Sequence, residues 1–251
     1  MSSSHHKVTL LALALLSSAQ IALADMPRNH ASRARSAQAS DAFSQSANRA
    51  ADGGREFWQG KSIADLVIEH QRWMLSVPIG VSAANPQETG ANCGINQQGP
   101  VWNLVGPGGL SNFTVNCTVP AGKAIFLPAL GYFYEFPCPE PYPQLAAGQS
   151  LEAFLRPMTA EAIDGITFAS ITLDNRPVKL RRAATGIFPF TAAKDWATYD
   201  VCITGAPQVA QVDGMWALID PPSVGKHVVS LKLTHPWFGT VEGTWNLNVT
   251  R

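Results

Sequence analysis

The sequence predicts a mainly β protein: a single β-sandwich, jelly-roll or immunoglobulin-like, with one N-terminal amphipathic helix packed on it. Three observations predict it. Near the C-terminus, Val229, Leu231 and Leu233 alternate with Ser230, Lys232 and Thr234. Val241, Gly243, Trp245, Leu247 and Val249 then alternate with Glu242, Thr244, Asn246 and Asn248. A strict period of two marks strands with one buried and one wet face. Second, short strand-like runs recur between turn residues from Gly99 onward. Third, four cysteines, Cys93, Cys117, Cys138 and Cys202, follow an export signal, which places the folded part in an oxidising space where thiols pair.

In chain order, residues 1–24 read as a signal peptide. Lys7 precedes a short apolar run over residues 8–16, and Ala22-Leu23-Ala24 supplies the small residues of a cleavage edge. Residues 25–54 are a leader rich in Ala, Ser and Arg, predicted to be disordered because it buries too little to offset its conformational entropy. Residues 55–251 form the sandwich domain. Its helix starts at Ser62, an N-cap with Asp65 three positions on, and presents Ile63, Leu66, Val67, His70, Trp73 and Met74 on one face until Pro78 ends it. Residues 80–99, with Asn85-Pro86, Gly90 and Gly94, form a turn-rich crossing.

Strand-like runs follow over residues 101–105, 112–119, 124–136, 166–173, 199–204 and 215–219, ahead of the terminal pair. Asp164-Gly165 and Asp213-Gly214 read as tight turns, and residues 120–122 and 221–225 each lead into a strand. The count comes to roughly eight to ten strands.

Composition excludes several classes. The chain is 46% hydrophobic and 14% charged, with a formal net charge of +0. Removal of the signal takes away Lys7 and no acid, leaving 17 basic residues against 18 acidic ones. Without a basic field to hold phosphates, nucleic acid is not an expected partner. The apolar core of the signal is far shorter than the ~20 residues a membrane span requires, so no span is expected once it is removed. The location implied is periplasmic or extracellular.

Four cysteines allow three pairings. Cys93 precedes a candidate hairpin whose return strand carries Cys117, which favours Cys93–Cys117 and leaves Cys138–Cys202. The latter closes a loop of about 64 residues, worth about 3–4 kcal/mol in the chain-entropy picture. No Cys-x-x-Cys pair is present, so neither a metal nor a cofactor is expected. No Gly-x-Ser-x-Gly elbow, P-loop, His-Glu-x-x-His helix or EF-hand loop occurs either.

Among the histidines, His70 shares the helix's apolar face and is a candidate general base. His227 and His235 fall on one side of a strand but roughly 26 Å apart, too far to share a metal. The most suggestive segment is residues 131–143, which places Tyr132, Tyr134, Tyr142, Glu135 and Glu140 in a proline-rich loop pinned by Cys138. Aromatic faces with nearby carboxylates suit a sugar or another polar ligand, with Tyr132, Tyr134, Glu135 and Tyr142 as the contact set. Glu135 and Glu140 are also candidates for glycoside hydrolysis if they stand about 5–9 Å apart.

Several motifs resemble a largely uncharacterised family of exported bacterial β-rich proteins. They are Cys93 followed by Gln98-Gly99-Pro100-Val101-Trp102, the run Cys117-Thr118-Val119-Pro120-Ala121-Gly122-Lys123-Ala124, and Asp213-Gly214-Met215-Trp216. The resemblance spans roughly residues 60–250. It implies export and a β-rich fold and supplies no activity. The chain departs from the family pattern after Pro128, where Ala129-Leu130-Gly131 and the aromatic segment stand. The function these readings favour is non-catalytic binding of a carbohydrate or protein ligand. The alternatives are a glycoside or ester hydrolase using the carboxylates of 131–143 and His70, or a structural, assembly role.

Overall fold

A computed structural model describes residues 57–79, 92–108 and 112–251; the signal, the leader and most of the 80–99 crossing lie outside these residues. The described chain is mainly β, with two five-stranded sheets, a two-stranded ribbon and two α-helices.

The ribbon pairs β1 (Phe57–Trp58) with β2 (Lys61–Ser62) and turns at Gln59-Gly60, both at positive φ. Helix α1 (Ile63–Ser76) follows at once because Ser62 caps it. Ser62 Oγ accepts from the Asp65 N–H at 3.1 Å, and the Asp65 carboxylate accepts from the Ser62 N–H at 2.9 Å. This reciprocal arrangement satisfies two amides that a helix start leaves orphaned. The helix stops when Val77 turns extended ahead of Pro78, which disfavours helical backbone in the residue before it.

The first sheet runs β3 (Val101–Asn103), β5 (Ala124–Phe136), β10 (Gln208–Ile219), β8 (Leu180–Ala184), with β9 (Phe188–Phe190) on the remaining part of β10. The second runs β4 (Asn112–Pro120), β12 (Gly239–Thr250), β11 (Gly225–His235), β6 (Phe168–Leu173), β7 (Arg176–Val178). Pairing is antiparallel except for β3 with β5 and β4 with β12.

One buried cluster draws on both sheets. It joins Ile125, Leu127 and Ala129 of β5 to Val115 and Val119 of β4, Leu231 and Leu233 of β11, and Trp245 and Leu247 of β12. A second cluster gathers Phe126, Val212 and Trp216 with Leu66, Val67 and Leu75 of α1 and with Trp196 and Ile203. Strands β5 and β10 are therefore buried on both faces over much of their length, and their sequences show no strict polar-apolar alternation. Partway along β5 the register slips: Trp216 faces Pro128 and Met215 faces Leu130, so Ala129 is unmatched. Such a bulge reverses which side chains face which way. Beyond it, Leu130 and Tyr132 join the inter-sheet cluster and Phe133 the other.

Several expectations are corrected. Strands β3 and β4 do not form a hairpin, because they belong to different sheets; the Cys93–Cys117 bond joins β4 to the segment ahead of β3. Asp213-Gly214 is no turn but the middle of β10, paired with Tyr132-Gly131 on one side and Ala184-Ala183 on the other. Gly214 is needed there because a Cβ would lie 2.8 Å from the Leu130 carbonyl oxygen. Residues 199–204 form turns after a 3-10 helix (Lys194–Thr198), not a strand. Residues 131–136 are the end of β5, so only the part from Pro137 onward is loop.

Helix α2 (Leu151–Asp164) is additional to the one helix the sequence predicts, and it runs through Pro157, a residue that locally disfavours a helix interior. Ser150 caps it, its Oγ accepting from the Ala153 N–H at 3.2 Å. It packs against β5 and β10, with Phe154 edge-on to Tyr134 and Phe136. Its last residue, Asp164, accepts from Arg182 Nη1 at 2.6 Å, while Arg182 Nη2 donates to the buried Asp213 at 2.6 Å. This one guanidinium ties β8, β10 and the helix end together.

Candidate functional site

The structure separates the residues singled out above. His70 is buried among Trp73, Phe126 and Trp216, whose rings all meet it edge-on, and its Nε2–H donates to the Leu104 carbonyl at 2.8 Å. Burial holds its ring down at about 4, so it stays neutral in ordinary buffer and reaches no solvent. Glu140 is exposed in the loop beyond Cys138.

Glu135 is buried and hydrogen-bonded to Asp200; burial first, then the Asp200 charge, pushes its carboxyl up to about 8. Asp200 is itself raised by burial. Tyr132 and Tyr134 alternate with Glu135 along β5 and so point to the other face of the sheet, where Tyr134 meets Phe154 of α2. Burial, then the Glu135 charge, raises Tyr134 to about 12. The proposed contact set of Tyr132, Tyr134, Glu135 and Tyr142 is thus divided by the sheet. The bonds Cys93–Cys117 and Cys138–Cys202 are both formed.

Two of these groups set a pH window. His70 binds fewer protons folded than unfolded between 6.5 and about 4, so stability falls as pH drops through that range. Glu135 holds an extra proton when folded between 4.5 and about 8, so its contribution is full below 4.5 and lost as pH rises through 8. Urea unfolding at a series of pH values should show the alkaline decline flatten in Glu135→Gln, with the acid decline retained. An unchanged alkaline limb would show that Glu135 is not held protonated.

A different constellation does converge. Strands β6 and β7 are joined by Asp174-Asn175, at φ +49° and +64°. This two-residue turn with both positions left-handed matches the twist of a hairpin, and Asp and Asn tolerate it. The turn lays Asp174 against β11. One carboxylate oxygen accepts from the Val228 N–H at 2.8 Å and the other from His227 Nδ1–H at 2.7 Å. His227 Nε2 lies 2.9 Å from the Ser223 carbonyl and 3.3 Å from Ser223 Oγ.

The hydrogen bond to Asp174 raises the His227 pKa, and the same bond lowers that of Asp174. These groups line an open cavity of about 430 Å³ whose other walls include Leu173, Arg176, Pro177 and Pro222. In the sequence, His227 is set apart from His235 by a distance too long for a shared metal, and nothing local links it to Asp174 or Ser223. The available signal was the Asp-Asn pair between two strand-like runs, a hairpin signature.

Ser223, His227 and Asp174 stand in the order of a nucleophilic triad, but the hydrogen bonding is of another kind. Both ring nitrogens lie within hydrogen-bond distance of acceptors, the Asp174 carboxylate and the Ser223 carbonyl, an arrangement that favours the doubly protonated ring and raises the His227 pKa. A protonated Nε2 has no lone pair to take the proton of Ser223 Oγ. The arrangement clamps the 221–225 segment to the β6–β7 turn.

Fold and site together define a mainly β, disulfide-bonded protein with an open groove at one sheet edge that sets Asp174, Arg176, Ser223 and His227 among apolar walls. The two disulfides are consistent with an exported protein, and among the described residues no helix is long and apolar enough to cross a membrane. No protein-family model matches the chain, and no curated protein matches it. The solution structure of amebosin aligns with 55% of this chain and 96% of its own at 11% identity, with a TM-score of 0.20. A similarity at that level carries no argument about fold or function.

Proposed function

We propose that this is an exported, periplasmic or extracellular β-sandwich protein of the bacterial type its motifs resemble. It binds a polar ligand, carbohydrate in the first instance, in the groove at Asp174 and His227, and performs no chemistry on it. The observation that carries this reading is the double engagement of His227, which leaves a fixed set of donors and acceptors but no base. The apolar walls suit the face of a sugar ring, while Arg176, Asp174 and Ser223 offer hydrogen bonds to its hydroxyls.

A glycan and polymer array, followed by titration of any hit, tests this. Arg176→Ala should weaken binding at least about tenfold with the melting temperature unchanged, since losing one charge-assisted hydrogen bond costs about 1.5–3 kcal/mol. A fluorophosphonate probe should leave Ser223 unlabelled; labelling at Ser223 that Asp174→Asn abolishes would establish the hydrolase instead. A ligand whose affinity ignores both Arg176→Ala and His227→Gln would place binding elsewhere.

A further inference from the structure

We propose that Glu135, Asp200, Cys138 and Cys202 form a redox-gated site: closed as a disulfide, it has no thiolate to offer, and opened by a dithiol reductant, it holds a thiophilic divalent cation such as zinc.

The ligating atoms of Glu135, Asp200 and Cys202 all lie within 4.8 Å of one another, and Cys138 is bonded to Cys202. A tetrahedral zinc with sulfur at about 2.3 Å and carboxylate oxygen at about 2.0–2.2 Å needs ligand atoms about 3.3–3.8 Å apart. The observed cluster is within reach of that by small side-chain movements. The ligands come from the end of β5 and the turn after the 3-10 helix, which are held together by more than the sulfur bridge. Asp200 accepts from the Cys202 N–H at 2.9 Å, the Ile203 N–H donates to the Asp200 carbonyl at 3.1 Å, and Gln208 Nε2 donates to the carbonyls of Pro137 at 3.1 Å and Cys202 at 2.8 Å. This frame does not depend on the S–S bond.

In the oxidised form the sulfurs are spent on each other. The buried Glu135 side chain then lies hydrogen-bonded to the partly buried Asp200. The balance of the conversion is simple. A dithiol reductant delivers two electrons and two protons to the Cys138–Cys202 bond and leaves as its own disulfide. Binding of one Zn²⁺ then expels the protons of both thiols, together with any proton the two acids share, so that two thiolates and two carboxylates surround the ion.

The test reads each cysteine separately. Mature protein is reduced under anaerobic conditions, divided, and alkylated with iodoacetamide with and without one equivalent of Zn²⁺, and the modified peptides are quantified by mass spectrometry. Zinc should slow alkylation of Cys138 and Cys202 at least tenfold while Cys93 and Cys117 react as before. Glu135→Gln combined with Asp200→Asn keeps all four thiols and should lose most of that protection. A dye-competition titration should show the oxidised protein binding zinc at least tenfold more weakly than the reduced one. Equal reactivity of all four cysteines with zinc present, including the case in which reduction unfolds the chain, overturns the proposal. So does protection that survives the double substitution, or equal zinc affinity in the two redox forms.

Discussion

Replacing Arg182 with alanine should destabilise the fold by about 3–5 kcal/mol, the cost of leaving a buried carboxylate without its partner. Asp213 has only 5% of its side chain exposed, and Arg182 engages it through Nε at 3.1 and 3.2 Å and through Nη2 at 2.6 Å. The rest of its capacity is met by the Gly214 N–H at 2.7 Å, which cannot neutralise the charge. The second arm of Arg182 reaches Asp164, whose side chain is 57% exposed, so that contact should contribute no more than about 1 kcal/mol. Urea unfolding of Arg182→Ala, Asp164→Ala and the pair Arg182→Met with Asp213→Leu separates these terms. The expected order is a large loss, a small loss, and a partial recovery in the double variant, because removing both charges also removes their desolvation cost. A loss from Asp164→Ala equal to that from Arg182→Ala would move the stabilising contact to the helix end.

Trp216→Ala should cost about 3–5 kcal/mol, the range for truncating a large buried aromatic. Trp216 is 1% exposed, stacked on Phe126 with ring centroids 5.2 Å apart, and met edge-on by His70 at 5.2 Å. With Phe126 and Val212 it belongs to the cluster through which the outer face of the first sheet meets α1. Among the described residues its indole N–H has no hydrogen-bond partner, so Trp216→Phe gives up volume while removing an unsatisfied donor. The loss for phenylalanine should therefore be clearly smaller than for alanine. Thermal melts of both variants decide this, and equal losses would show that ring size alone sets the contribution.

The candidate groove and the β5 end differ in what a single chain segment can reveal. In β5 the tyrosines and Glu135 are neighbours in sequence, which is why they looked like one surface. Alternation sends them to opposite faces, and the bulge at Ala129 decides which face each one meets. In the groove, His227 and Asp174 are 53 positions apart and come together only because β6 pairs with β11. Side-chain composition alone gives no hint of such a register.

What the sequence determined by itself was whatever local chemistry controls. The alternation in β11 and β12 was legible because one face of the second sheet is wet, so polarity reports burial directly. The cap at Ser62 and Asp65 was legible because its partners are three residues apart. The tertiary structure decided the rest. It buried β10 on both faces and so turned Asp213-Gly214 from an apparent turn into mid-strand, with Arg182 across the pair to balance the charge. It put β3 and β4 into separate sheets, and it gave α2 enough packing through Phe154, Leu155, Ala162 and Ile163 to keep a helix across Pro157. In each case burial against distant segments outweighed a local preference worth only a few kcal/mol, and that burial is a property of the assembled sheets rather than of any short stretch of chain.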